Sequence, residues 1–360
     1  KCAQQVVHAQ HFFHWELEFA DQFKARKGFD LVLGNPPWIK VEWNEQALLS
    51  EFEPKFAIRR LSAKEAADQR DAVFKAQPDA WRDYLAECVA TEGMGAFLNA
   101  QQNYPVLEGQ KANLYKCFLP LVWRVGSGVQ ALLHPEGPYE DPNAGVLRAA
   151  IYPRLRAHYQ FMNQFKLFVE VHNYTTYSIN VYAHSLDAVG FRHMANLFTP
   201  STIAESRKHP GGGVVPGIKR DEGGWNIAGH ASRVIDVDDA GLATFARLYD
   251  EPSTPARQAR LPAIHSRELV SVLDRFALAA RRLDGETFTS VWFFDESASQ
   301  REGIIHRETA FVESAADFVL SGPLFFVGNP INKTPRAICD SNKAYDQIDL
   351  GAIPDDYLPR

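Results

Sequence analysis

Phe29-Asp30-Leu31-Val32-Leu33-Gly34-Asn35-Pro36-Pro37-Trp38 is the stretch whose reading decides the fold. Its apolar run predicts a buried strand. The strand must stop at Gly34, because the two prolines beyond it lack the N–H that a ladder needs. In an α/β sheet, reactive and binding groups collect just past the carboxyl end of a strand, and Asn35, Pro36, Pro37 and Trp38 fall there. Each proline also presses the residue before it toward extended backbone, so this corner is stiff before anything binds. Read without its surroundings, Asn-Pro-Pro is an ordinary proline turn. The apolar strand in front and the indole behind favour a functional corner.

This strand followed by Asn-Pro-Pro-aromatic resembles the catalytic loop of amino-methyltransferases that use S-adenosylmethionine (SAM), above all the large N6-adenine DNA methyltransferases of restriction-modification and phage-defence systems. The resemblance implies an α/β, Rossmann-like SAM-dependent methyltransferase fold and a flipped-out adenine as substrate. The residues suit that chemistry. The exocyclic amine of adenine is a poor nucleophile because its lone pair is delocalised into the ring. The Asn35 side-chain oxygen and the Pro36 carbonyl are two acceptors that can take its two N–H groups and localise that pair. Trp38 offers a flat face to a base that has left its stack, worth roughly 1–3 kcal/mol. The sulfonium of SAM is already an activated methyl donor, so neither a metal nor a covalent nucleophile is required.

Composition bounds the class. The 360 residues, 46% hydrophobic and 23% charged, describe a globular protein of one large or two ordinary domains. No apolar run reaches the length of a membrane span and no secretory leader is visible, so a cytoplasmic bacterial or archaeal setting with no membrane partner is expected. The net charge of −6 argues weakly against a nucleic-acid partner without excluding a local basic face. Cys2, Cys88, Cys117 and Cys339 are far apart, which excludes a zinc knuckle and a disulfide scaffold. The chain opens at Lys1 with a helical pattern already under way, as expected of a piece of a longer protein.

Outward from the corner, His8, His11 and His14 share i, i+3 spacing, but no carboxylate or thiolate is placed to complete a metal site. Trp15, within His14-Trp15-Glu16-Leu17-Glu18-Phe19, resembles the lead-in of the same methyltransferases, which implies a place near the cofactor together with Asn35. Residues 40–112 read as a helical insertion, with Ser62 as a cap ahead of a charged helix; a lid, a DNA-facing surface and a solvated arm all fit it. From Gly109 to Val125 the pattern is a helix with an apolar face, whose Asn113-Leu114-Tyr115 resembles the opening of the helix after the catalytic loop in the same methyltransferases, and Gly128 to Gly137 reads as the next buried strand ending in a turn. Gly145 to Phe161 reads as a basic amphipathic helix whose Arg148, Arg154 and Arg156 are candidate DNA contacts. Lys166–Val171 and Tyr177–Tyr182 read as a hairpin. The resemblance implies an aromatic near its turn on the far face of the adenine, and by spacing His172 or Tyr174 takes that position.

Composition changes near Pro200. Residues 1–200 are thus expected to be the catalytic half of the methyltransferase domain, and 201–360 a mixed α+β region, the start of target recognition on double-stranded DNA. His209 to Arg220 is a glycine-rich loop without the G-K-[ST] of a P-loop; Lys219 and Arg220 are candidate phosphate contacts. Short strands are expected at Ser290–Phe294 and Phe318–Gly328, and Asn329-Pro330 reads as a turn. Glu53-Pro54-Lys55 has an E-x-K form, but no Asp on a preceding strand completes a nuclease centre. The glycine-rich turn and the acidic residue that hold SAM precede Asn-Pro-Pro in the resembling family, and only 34 residues precede it here. The main SAM motif is therefore expected outside this chain, and the piece alone should be inactive. Two other readings stand beside this one: a methyltransferase for a protein glutamine or an RNA base, and a non-catalytic DNA-binding or assembly subunit. Other restriction or defence subunits are expected partners.

Overall fold

The computed structural model describes residues 13–59, 63–111, 113–279, 296–306, 314, 333–335 and 345–347. The chain divides into two compact units, Lys1–Ala280 and Arg281–Arg360.

The first unit is a mixed α/β structure. Helix α1 (Ala20–Arg26) ends at Lys27 in the left-handed conformation, and the chain turns into β1 (Phe29–Gly34). Gly28 makes that turn possible: its φ is +146°, and a Cβ there would lie 2.4 Å from the Val125 carbonyl oxygen. The helical insertion follows as α2 (Glu45–Phe52), α3 (Ala63–Ala76) and α4 (Pro78–Asn99). Asn44 caps α2 by accepting from the Ala47 N–H, and Pro78 opens α4, where a missing N–H costs nothing. These helices have their own small core of Leu49, Phe56, Ala66, Val73 and Ala80. Helix α5 (Leu114–Val125) packs its apolar face on the sheet, and β2 (Gly126–Pro135) runs directly out of it.

The sheet continues with α6 (Gly145–Ile151), β3 (Leu155–Met162), β4 (Thr176–Tyr182) and β5 (Gly190–Leu197). It then adds α7 (Ser201–Lys208), β6 (Ile235–Asp238), α8 (Asp239–Tyr249) and α9 (Arg267–Ala277). Strand order is β1-β2-β4-β3-β5-β6. β1 is parallel to β2, β4 lies antiparallel between β2 and β3, β5 is parallel to β3, and β6 is antiparallel to β5. Register aligns Gly34 with Leu132, which brings the ends of β1 and β2 to one edge of the sheet. The main core joins Leu119, Val122, Leu132, Leu147, Tyr152 and Phe245 across the sheet and its helices.

Three sequence expectations change. The segment Gly145 to Phe161 is not one helix: α6 stops at Ile151, and residues 155–162 are a strand. Pro153 explains the break: Tyr152 before it is still helical, but the proline has no N–H to continue the helical ladder. Residues 166–171 are loop, and the antiparallel partners of β4 are β2 and β3. Beyond residue 200, β6 and α8 join the same sheet and core, so the change of composition near Pro200 falls inside the first unit.

The second unit contains helix α10 (Glu296–Arg301) and an antiparallel pair, β7 (Lys333–Pro335) with β8 (Tyr345–Gln347). The strands expected at Ser290–Phe294 and Phe318–Gly328, and Asn329-Pro330, lie outside the described residues, as do His8 and His11. Among the described residues, no helix is long and apolar enough to cross a membrane.

Candidate active site

The corner after β1 projects from the sheet. Asn35 and Pro37 are exposed, Pro36 is buried beneath them, and Trp38 is half-buried. Beyond it, the Leu114 N–H donates to the Ile39 carbonyl at 2.9 Å, and Lys40 bridges Asn113. The start of α5 thus fixes the corner from behind. The Asn113-Leu114-Tyr115 opening, distant in sequence, abuts the Asn-Pro-Pro turn.

Trp38 leans on two rings. Phe168 lies 5.6 Å away between centroids and Tyr177 5.8 Å, with Phe161, Met194 and Leu197 in the same cluster. Phe168 comes from the loop between β3 and β4, and Tyr177 is the second residue of β4. Neither was singled out from the sequence. His172 and Tyr174 instead pair with each other at 5.5 Å, and both are exposed. The rings that meet Trp38 are Phe168 and Tyr177. The loop of Phe168 is shaped by Asn163, fully buried, whose Nδ2 donates to the Phe168 carbonyl at 2.8 Å and the Val171 carbonyl at 2.9 Å. The Phe168 N–H donates back to Asn163 Oδ1 at 3.1 Å.

On the other side of the corner is a cavity of about 350 Å³, lined by Trp15, Phe29, Gly34, Asn35 and Pro36 and by the α5 residues Phe118, Leu121, Val122 and Val125. Trp15 reaches it by stacking on Phe19 and meeting Phe29 edge-on. The structure therefore brings together Trp15, Asn35, Pro36 and Pro37 on one cavity, and Trp38 with Phe168 on the neighbouring face.

The expected DNA-binding arginines do not gather there. Arg148 is 1% exposed. Its guanidinium donates to the carbonyls of Gln258, Asp141 and Pro138 at 2.8, 2.6 and 3.2 Å. A cation so placed has no face left for a phosphate, and the expectation for Arg148 is corrected: it ties α6 to two loops. Arg154 donates to the Ala150 carbonyl and lies over the Trp123 ring, and Arg156 donates to the carbonyls of Pro153, Leu155 and His184. Both are half-buried and hold backbone corners. Lys219 and Arg220 are exposed, on a small turn where Lys219 lies 5.0 Å from the Trp225 ring centroid.

Where β2 ends, a buried polar network crosses beneath the sheet. Glu136 Oε1 is 3.2 Å from His158 Nε2, and Gln160 Nε2 donates to Glu136 Oε2 at 3.1 Å. His158 Nδ1 lies 2.9 Å from His193 Nδ1, so one ring carries the hydrogen and the other accepts. His134 Nδ1 sits 2.8 Å from the Pro135 carbonyl, which assigns the hydrogen to Nδ1 and leaves Nε2 to accept from Tyr182 Oη at 3.0 Å. Burial disfavours the charged imidazoles and pulls His134 down to about 4 and His193 to about 3. Burial alone raises the Glu136 carboxyl, but the facing His158 and the Ser178 hydroxyl outweigh it and leave Glu136 below its ordinary value. The network is not visible in the sequence because strand pairing, not sequence proximity, brings the end of β2, β3 and β5 together. Among the described residues, no group of three His, Cys, Asp or Glu is arranged to hold a metal ion, and His14 is exposed beside Glu16.

Comparison with known proteins bears on this corner. The model of the Eco57I restriction-modification methylase family matches residues 1–71, which contain Trp15 and Asn35–Trp38. No curated protein matches the chain. Similar solved structures include the type IIG restriction endonuclease BpuSI, 13% identical over 46% of this chain and 15% of that one, with a TM-score of 0.24. The methyltransferase subunit of a type I restriction-modification system from Streptococcus thermophilus is 14% identical over 47% and 26%, with a TM-score of 0.25. A structure of the type I R-M system is 12% identical over 71% and 46%, with a TM-score of 0.30. The chain thus matches less than half the length of each of these proteins. Residues 1–71, which build the strand-end corner and the residues leading into it, are similar to the restriction-modification methylases of the Eco57I family.

Proposed function

We propose that this chain carries the catalytic half of a SAM-dependent DNA adenine-N6 methyltransferase of a restriction-modification or phage-defence system. The observation that carries the reading is the exposed Asn35 beside the half-buried Trp38, at the end of a parallel strand and inside the family match.

The mixed sheet, in which β1 is parallel to β2 and β4 runs antiparallel between β2 and β3, is compatible with an α/β methyltransferase half. The outer side of that half is unfinished among the described residues: β1 is an edge strand whose Leu31 and Leu33 are 58% and 68% exposed. Apolar side chains at that level on a sheet edge suit further strands and helices supplied by the rest of a SAM-binding domain.

In this reading Asn35 Oδ1 and the Pro36 carbonyl accept the two N–H groups of the adenine amine and draw its lone pair out of the ring plane. The proline pair keeps both acceptors in place, so little ordering is needed at the moment of reaction. Trp38 stacks on the base, and the Phe168 ring closes the slot from the β3–β4 loop. When bound, SAM supplies an already activated methyl group. The cavity beside the corner fits part of such a ligand: Trp15 is an aromatic wall and Asn35 a polar edge, while the remaining lining residues are apolar. Those two residues would face SAM, and its charged groups would be held by elements outside the described ones. Lys219 and Arg220, exposed on their turn, are proposed phosphate contacts. Double-stranded DNA is the proposed substrate and other restriction subunits the proposed partners.

The test is methyl transfer from labelled SAM by the full-length enzyme to duplex DNA, RNA and a glutamine peptide, with mass spectrometry of the digested products. N6-methyladenine from the duplex is expected. Methylation confined to RNA or peptide would overturn the substrate assignment, and no transfer to any of the three would overturn the enzymatic one.

A further inference from the structure

The loop between β3 and β4, residues 163–175, combines two properties that seldom meet. It is stapled from within. Besides the three hydrogen bonds of the Asn163 side chain, the Asn163 N–H donates to the Thr175 carbonyl at 3.1 Å and the Lys166 N–H to the Asn163 carbonyl at 2.8 Å. Lys166 holds the left-handed conformation that the turn requires, at φ +50°. Yet this ordered loop carries apolar side chains in the open: Phe165 is 46% exposed, Leu167 47%, Val169 77% and Tyr174 69%. A cluster of exposed apolar groups on a rigid loop marks a contact surface.

Its place identifies the partner. Phe168 lies against Trp38, and Val169 is the next residue. Any duplex that delivers a base to Trp38 therefore brings the adjoining stack within about one side chain of the loop. A base leaving its stack opens a gap walled by two flat apolar faces, and proteins that force or hold such gaps insert apolar side chains between base steps. From these observations, and resting on the reading of the site as a base-methylating one, we propose that Leu167 and Val169 form a wedge that enters the duplex where the adenine leaves. Asn163 is a positioning residue: it fixes the tip while Phe168 stays on the Trp38 side.

The test uses the full-length enzyme and its Leu167→Ser/Val169→Ser variant, with two duplexes: one fully matched, the other with an abasic site opposite the target adenine. Extruding the base from the second duplex needs less help. Both substitutions are at exposed positions, and unchanged thermal unfolding confirms that the fold is kept. On the matched duplex the variant is expected to lose about tenfold or more in single-turnover rate, and on the abasic duplex to return to within about twofold of the parent enzyme. Emission of 2-aminopurine at the target position should fall in parallel on the matched duplex. An equal loss on both duplexes, or no loss on either, would overturn the wedge while leaving the methyltransferase reading intact. A parent enzyme that methylates neither duplex would overturn both.

Discussion

The Trp38 and Phe168 rings meet with their centroids 5.6 Å apart and their planes inclined by 54°. This contact joins the corner after β1 to the loop before β4, two segments separated by more of the chain than the whole helical insertion. If a flipped base takes one face of Trp38, the indole should contribute most of the stacking. Trp38→Ala is expected to lower kcat/KM for DNA by an amount corresponding to about 1–3 kcal/mol, roughly 5- to 150-fold. Phe168→Ala is expected to act mainly through KM for DNA, because its ring does not bear on the Asn35 acceptors. Steady-state kinetics on DNA check both, and an unchanged kcat/KM in Trp38→Ala would remove the stacking role.

The buried network under the sheet predicts acid lability. His134 and His193 have folded values of about 4 and about 3 against an ordinary 6.5, so the unfolded chain binds more protons between those values. Their contribution is complete above pH 6.5 and is lost as pH falls toward about 4 for His134 and about 3 for His193. Glu136, also below its ordinary value, gives stability that is present above about pH 4.5 and lost as pH falls further. Urea unfolding at pH 7.5, 6.0 and 5.0 should show a falling midpoint, and His193→Phe should flatten the fall between 7.5 and 5.0. A midpoint independent of pH over that range would contradict neutral buried imidazoles.

Arg148 and the Lys219–Arg220 pair separate stability from binding. Arg148→Ala leaves buried carbonyls of Gln258, Asp141 and Pro138 without their donor, and is expected to cost about 3 kcal/mol or more in unfolding free energy. The salt dependence of DNA binding by the folded fraction should not change. Lys219→Ala and Arg220→Ala should leave stability within about 0.5 kcal/mol and each reduce the slope of log K against log salt by about 1. The measurements are chemical denaturation and DNA binding over a salt series. An altered slope in Arg148→Ala would place that residue on the DNA after all.

How far these residues were legible in the sequence follows from how local their causes are. The strand Phe29–Gly34, the stop at Asn-Pro-Pro, the helix ending at Val125 and the strand after it are set by apolar periodicity and proline chemistry within a few residues. All four are present, but β1 is an edge strand with Leu31 and Leu33 exposed where a buried strand was expected. Gly145 to Phe161 was misread because Arg148, Arg154 and Arg156 suggested a solvated helix face. Their guanidinium groups in fact go to backbone carbonyls, and Pro153 divides helix from strand. Phe168 was hidden because Lys166–Val171 alternates like a strand, whereas Asn163, several residues earlier, folds it into a loop through its side-chain amide. An Asn at a strand end, before a chain reversal, was the available sign. The Glu136–His158–His193 line had none, since strand order alone brings it together.

The central claim is that Asn35 presents an acceptor to a planar amine, and the most direct measurement is methyl transfer by the full-length Asn35→Ala enzyme alongside its SAM and DNA affinities. The account predicts transfer reduced by about 10²-fold or more, as expected when a preorganised polar group at the reacting centre is removed, with both affinities nearly unchanged. Turnover close to that of the unmodified enzyme would contradict it.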